Sequence, residues 1–325
     1  MRPTRLLLIT CIIVGLAPGT FLRSKVPPPD LSAPVEIVAL DHDAARAGPL
    51  TLAGAWQITG GNDGVGGYSA LLALDDATLL AASDAGRVLV LPRPDRPGEG
   101  AQVSGFTGLT NDGWIRVDLE SLVRDPRSGT YWAGVEGSNQ IVRFAQDRSW
   151  SAAAKPRAMA DWRNNSGAES LVLLPDGRFL AIEEGEAGRA PIVLVFEGDP
   201  TQVEAAYYVS LTGAGNYRPA DAAMLPDGRV LVLLRTWAIG LPPTFSVRLA
   251  TFDPADIADG AQIALAPLAE LAEPFPRDNY EGVAVTGSVD GDWAIWLISD
   301  DNFASFQRSL LLKLDWNRTR QKARR

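Results

Sequence analysis

Two segments of the chain match almost letter for letter, and they constrain the fold more than any other feature. Leu173–Leu180 reads LLPDGRFL and Met224–Leu231 reads MLPDGRVL. Each is an apolar run, a Pro-Asp-Gly turn and a second apolar run, with Gly supplying the positive φ that such hairpin turns need. Weaker copies of the scheme are Ser69–Asp84 (SALLALDDATLLAASD), Glu120–Glu136 (ESLVRDPRSGTYWAGVE) and Glu281–Asp300 (EGVAVTGSVDGDWAIWLISD). The units start at Ser69, Glu120, Glu169, Asp221 and Glu281, in steps of 51, 49, 52 and 60 residues. A period of about fifty residues with several short strands per unit is the pattern of a β-propeller. No segment has the amphipathic helical period that an alternating α/β fold requires.

The expected fold is therefore all-β, a single propeller of five to six blades. Residues 50–316 form it. The last unit ends at Ser309–Leu314 (SLLLKL), and Leu50–Thr59 (LTLAGAWQIT) is the strand available to complete that blade. Closure by N- and C-terminal strands leaves no long open edge. A sixth, degenerate blade would have to draw on residues 35–60 and 237–275.

The N-terminus reads as an export signal over residues 1–19. Arg2 and Arg5 precede an eleven-residue apolar run, Leu6–Leu16, which is too short for an ordinary spanning helix, and Ala17-Pro18-Gly19 offers small residues for cleavage. An uncleaved anchor is the alternative. Residues 20–34 are Pro-rich and read as a tether, the stretch 20–49 holding that tether and a first strand, and residues 317–325 form a basic tail. The expected location is periplasmic or extracellular, with no membrane span in a cleaved product. Cys11, within the signal, is the single cysteine, which suits an oxidising compartment.

Charge narrows the partners. The chain carries 30 basic and 39 acidic residues, but nine of the bases lie in residues 1–25 and 317–325, which hold no acid. The body 26–316 is thus at -18. That excludes a general nucleic-acid surface and favours a cation or a cationic partner. One His, His42, and one Cys exclude thiolate clusters and multi-histidine zinc sites, and a Ser-His-Asp triad would have to recruit a His in a linker.

The acids recur with the repeat. Four of the five unit starts are carboxylates: Glu120, Glu169, Asp221 and Glu281, with Ser69 as the exception. A second set closes each hairpin: Asp84, Glu136, Glu183 or Glu184, Arg235, and Asp300 or Asp301. Inner strands of a propeller open onto the central channel, so both sets are expected at one rim. Like charges gathered there repel unless a cation or a proton neutralises them. Oxygen-only ligands point to calcium or another divalent cation such as magnesium. The residues proposed for the metal are Glu120, Glu169, Asp221, Glu281, Asp300 and Asp301. Caps on strand ends are the structural alternative for the same acids. Arg235 and Arg218 are candidates to hold a substrate oxyanion, or else to neutralise the acids, as are Arg87, Arg116 and Arg248. Trp114, Trp132, Trp162 and Trp237 lie at loops or strand ends, for a ligand pocket or for packing between blades.

Four stretches resemble the phytase-like β-propeller family, described by its esterase-like activity. They are Gly66–Asp84, Asp118–Phe144 with its Asp-x-Glu start, Asn165–Glu184 with Asn-x-Gly-x-Glu, and Asn279–Leu314. Asn279-Tyr280-Glu281-Gly282 followed by Ser299-Asp300-Asp301-Asn302-Phe303 and Gln307 is the most specific of these. The chain departs from the pattern at Leu234-Arg235, where relatives have Glu-Arg, and at Ser121 and Ser170, where they have Gly. The resemblance implies an exported, divalent-cation-dependent hydrolase of ester or phosphoester bonds acting at the channel mouth. Glu120, Glu169, Arg235 and Arg218 are its candidate catalytic residues, a small molecule its substrate, and a monomer its expected state. A calcium-dependent lactonase-like propeller and a non-catalytic envelope scaffold are the other two readings.

Overall fold

The computed structural model describes residues 30–317 apart from 97, 99, 109–117, 164–166, 241–243, 288–290 and 304–306. The export signal, the basic tail, Arg116 and Trp114 lie outside the described residues. Leu31 onward forms one compact unit, and its described part is almost entirely strand.

The strands make five sheets, each built around consecutive antiparallel strands, with strands from elsewhere in the chain added to two of them. Blade 1 comprises Tyr68–Ala73, Thr78–Ser83, Arg87–Pro92 and Gln102–Gly105. Blade 2 comprises Leu119–Arg124, Tyr131–Val135, Gln140–Phe144 and Trp150–Ala154. Blade 3 comprises Ala168–Leu173, Phe179–Glu183, Ile192–Phe196 and Tyr207–Thr212. Blade 4 comprises Arg218–Met224, Val230–Ala238, Thr244–Phe252 and Ala266–Leu271. Blade 5 comprises Tyr280–Gly287, Trp293–Ser299 and Leu310–Trp316, and then takes Leu50–Gly60 and Val35–Ala39 from the N-terminal side. The closing strand pairs as the sequence suggests, with Leu311 opposite Trp56 and Leu314 opposite Leu52.

The count is five because the segments available for a sixth blade are used elsewhere. Residues 35–60 finish blade 5. Residues 237–271 extend and finish blade 4, except that Gln262–Ala264 adds a parallel strand to the edge of blade 3. The first strands of the blades adjoin one another in order, and blade 5 returns to blade 1, so the ring is closed.

Burial explains the continuous apolar runs. A blade is covered on both faces, so alternate residues of one strand feed two different cores. In Val230–Leu234, Leu231 and Leu233 pack toward Trp293, Leu297 and Leu312 of blade 5. Val230, Val232 and Leu234 pack toward Leu180, Ile182 and Val195 of blade 3. Five such clusters fill the five spaces between neighbouring blades.

The inner ring is tight. A Cβ on Gly282 would stand 2.8 Å from the backbone nitrogen of Leu71. The equivalent residues in the other blades are Ala70, Ser121, Ser170 and Asp221. Ser121 Oγ donates to the carbonyl of Ala168 in the next blade, and Ser69 Oγ to that of Leu119. Ser121 at the ring position and Ser69 at the bulge beside it thus stitch neighbouring blades together.

Candidate functional site

Each inner strand carries a one-residue bulge at its start. The extra residues are Ser69, Glu120, Glu169, Ala220 and Glu281. A bulge re-aims a side chain out of the ladder, and here it turns three glutamates to one mouth of the channel. In four blades the residue after the second strand's last rim pairing lies on the same rim: Asp84, Glu136, Glu184 and Asp300; the equivalent in blade 4 is Arg235, there still paired with Arg218.

These two sets converge on a cavity of about 570 Å³. Among the described residues its wall holds eight carboxylates, those of Asp84, Asp118, Glu120, Glu136, Glu169, Glu184, Glu281 and Asp300, against one guanidinium, Arg235. Trp237, Phe245, Asn279, Asn302 and Gln307 complete it. Asp118, Glu120 and Glu136 each place a carboxylate oxygen within 4.8 Å of the other two.

Arg235 organises the opposite side. Its Nη1 lies 3.1 Å from Glu281 Oε1 and donates to Asn279 Oδ1 at 3.0 Å, and its Nη2 lies 3.8 Å from Glu184. Asn279 Nδ2 in turn donates to Glu281 Oε1 at 2.6 Å. Arg218, directly opposite Arg235 in the strand register, reaches Glu184 at 3.1 Å and does not line the acid cavity. Arg248 pairs with Glu270 and lies over Tyr217, away from the mouth.

The electrostatics follow from crowding and burial. Burial, then the charges of Glu281, Asp84 and Asp301, push Asp300 up to about 8. Burial, with Asp118, Glu184 and Glu281 adding, pushes Glu136 to about 7. Asp84 is raised to about 6 by burial and by Asp118, Glu281 and Asp301. Burial also holds Glu120 and Glu169 well above the usual carboxylate range, with Glu281 and Glu120 respectively as their chief charged neighbours. Arg235, despite its burial, is kept firmly protonated by Glu281, Glu169, Glu184 and Glu120.

Two residues expected at the rim lie elsewhere. The bulge of blade 4 falls on Ala220, so Asp221 takes the ring position one residue further in, beyond the cavity wall. There it is buried, and it accepts the backbone N–H of Val283 at 2.7 Å across the blade boundary and that of Ala222 at 2.8 Å. Asp301 is spent on a clamp: it accepts the N–H groups of Gly67 and Phe303 at 3.0 Å each and the hydroxyl of Ser309 at 2.9 Å. Gly67, at φ +64°, leaves room for this loop, because a Cβ there would strike the Phe303 ring. Glu183, the alternative to Glu184, is buried and paired with Arg189.

Asp118 and Asn279 are the cavity residues that repeat alignment alone passes over. Each stands two positions before its bulged glutamate, so the signal was the Asp-x-Glu and Asn-x-Glu spacing. Of the tryptophans, Trp237 lines the cavity, whereas Trp162 is packed in a core and Trp132 donates to Asp199 between blades 2 and 3.

The donor set suits a hard cation. All candidate ligands are oxygens, and the wall contains a buried carboxylate oxygen without a hydrogen-bond partner, Asp84 Oδ1.

A family model described as "Phytase-like: Esterase-like activity of phytase" matches residues 63–303. No curated protein matches the chain. Among solved structures, the hydrazine synthase of Kuenenia stuttgartiensis is similar at 12% identity and TM-score 0.40, over 76% of this chain and 63% of that one. A luciferin-regenerating enzyme is similar at 12% identity and TM-score 0.45, over 87% of this chain and 95% of that one.

Proposed function

Because this chain belongs to the phytase-like family named for esterase-like activity, we propose that it is an exported, divalent-cation-dependent hydrolase acting on ester or phosphoester bonds at the acidic mouth of its channel. One observation carries the reading: eight carboxylates and one arginine, contributed by all five blades and mostly from equivalent positions, line one cavity. Carboxylates so placed cost folding free energy unless they serve a ligand. Export is carried into the proposal from Arg2, Arg5 and the apolar run Leu6–Leu16.

Asp118, Glu120 and Glu136 are the residues that would hold the cation, calcium in the first instance, with Glu169 beside them. When bound, a divalent cation supplies a Lewis acid for the substrate oxygen and lowers the pKa of water. The chain's own groups do the rest. Arg235 offers fixed positive charge for an oxyanion, and Asn279 keeps its guanidinium in place. Asp300, in its ionised form, accepts a proton as the water oxygen bonds to the acyl carbon or phosphorus. The bond to the leaving oxygen breaks, and that oxygen takes the proton back, yielding an alcohol and an acid. A highly phosphorylated substrate fits poorly, since the cavity repels polyanions.

The test is hydrolysis of chromogenic carboxylic ester, phosphate monoester and lactone substrates by the full chain, with calcium and with chelator. Turnover of an ester or phosphoester that chelator abolishes and calcium restores is the expected result. Turnover confined to the lactone would favour the lactonase-like reading. Absence of any turnover, with calcium still raising the melting temperature, would leave a structural metal and end the hydrolase reading.

A further inference from the structure

In four blades the second strand stops at the rim, at Ser83, Val135, Glu183 and Ser299. Blade 4 departs from this. Its second strand runs on to Ala238 and stays paired with the third: Arg235 opposite Val247, Thr236 opposite Ser246, Trp237 opposite Phe245, and Ala238 opposite Thr244. A two-stranded ribbon therefore stands above the mouth on one side only.

Residues directly opposite in an antiparallel pair share a face, as do residues two apart on one strand. Arg235, Trp237 and Phe245 share a face by this rule, and all three line the acid cavity. Beside it, Thr236, Trp237 and Ile239 enclose with Arg218 and Glu184 a second hollow of about 270 Å³. Glu184, Arg235 and Trp237 belong to both walls, so the hollow continues the mouth. Trp237 is 53% exposed and Ile239 is 92% exposed. A large aromatic side chain held in water by a paired ribbon, with Ile239 just past the ribbon's last pair and convergent polar groups beside it, marks a ligand surface.

We propose that this ribbon is the specificity wall of the site and takes an aryl or bulky apolar group of the substrate, with the scissile bond lying over the carboxylates beside Arg235. The proposal rests on the hydrolase reading above and narrows its substrate class. That class is an ester or phosphomonoester with one apolar substituent, rather than a sugar-like or polyphosphorylated molecule. The indole and phenyl faces reward apolar area, and the surplus of acid disfavours further negative charge.

The test uses phenylphosphonate and methylphosphonate, which share a headgroup and contain no ester, so that binding is read without turnover. Their affinities for the full chain in calcium are measured by calorimetry in wild type, W237A and W237F. Wild type is expected to prefer the phenyl probe about tenfold or more, the increment that burying a ring supplies. The preference should fall toward unity in W237A and return in W237F, with I239A intermediate. Equal affinity for the two probes, binding of neither, or a full preference retained in W237A would overturn the wall. A phenyl preference that depends on Trp237 in a protein that hydrolyses no ester would uphold the wall and overturn the hydrolase reading instead.

Discussion

Arg235 Nη1 lies 3.1 Å from Glu281 Oε1, and this contact joins the rim of blade 4 to the bulge of blade 5. Where the other four blades place an acid, blade 4 places the arginine. Its nearest acids, Glu281 and Glu184, come from the two flanking blades. The substitution of a base for an acid at one repeat position is therefore what lets so many carboxylates share one cavity.

Removing that charge should cost stability in a pH-dependent way. R235Q is expected to lose about 3–5 kcal/mol at pH 8, the range for breaking a buried pair and leaving its partner charged. At pH 5 the loss should be smaller, because the raised carboxyls of Glu136 and Asp300 are then protonated. Chemical denaturation of both proteins in chelator at the two pH values measures this. Equal losses at both would show that Arg235 acts only through packing.

The same carboxyls set the pH profile of the wild type without metal. Asp84, Glu136 and Asp300 stand at about 6, 7 and 8 in the fold, against about 4 in an unfolded chain. The folded state holds protons that the unfolded state releases, so stability is full below about pH 4 for these groups. It falls as pH climbs from there to about 8. Asp95 and Asp199 have the opposite sign, since Arg93 and Lys313, and Thr201, Trp132 and Arg143, favour their charged forms. Their gain is complete by about pH 5. Between pH 5.5 and 8.5 the unfolding free energy measured by urea in chelator, and with it the midpoint, should therefore drop, the free energy by an amount on the order of 2–4 kcal/mol. A midpoint that holds or rises over that interval would contradict the cavity's electrostatics.

What could be read beforehand depended on whether a feature repeats. The Pro-Asp-Gly turns at Pro175–Gly177 and Pro226–Gly228 occur at equivalent points of blades 3 and 4, and they made five hairpins and one rim visible. The closing strand Leu50–Gly60 was visible because Leu310–Trp316 needed a partner. Asp221 was misplaced by one residue, since a bulge on Ala220 leaves no mark in an apolar-polar pattern. The ribbon of Trp237 and Phe245 was equally hidden: it is where blade 4 departs from its repeat, and self-similarity is silent about departures. The clamp role of Asp301 depends on a loop contact with Gly67, 234 residues away in the chain.

Metal binding should be separable from folding at Glu120. Calcium at about a hundred times its dissociation constant is expected to stabilise the wild type by about 2.7 kcal/mol, seen as a rise in melting temperature. E120Q keeps the shape of the side chain and removes one anionic oxygen from the Asp118, Glu120 and Glu136 group. Its melting temperature in chelator should match or exceed wild type, because a buried, charge-crowded acid has been neutralised. Its calcium response should fall by half or more. An undiminished calcium shift in E120Q would place the cation elsewhere on the protein.

Asp221 yields the sharpest contrast between two substitutions at one position. Burial pushes its carboxyl well above the usual range, while the backbone N–H groups of Val283 and Ala222, one on each oxygen, pull the other way. D221N keeps an acceptor for one of the two N–H groups and turns its NH2 toward the other, so it should cost about 1–2 kcal/mol in chelator at pH 7. D221A leaves both N–H groups buried without a partner, and should cost about 2–4 kcal/mol. Neither should alter the calcium-induced shift, because Asp221 does not line the acid cavity. Urea denaturation gives the two costs, and melting with and without calcium gives the third comparison. If D221N proved as damaging as D221A, the charged carboxylate would be the form the ring uses; if both abolished the calcium response, Asp221 would belong with the ligands after all.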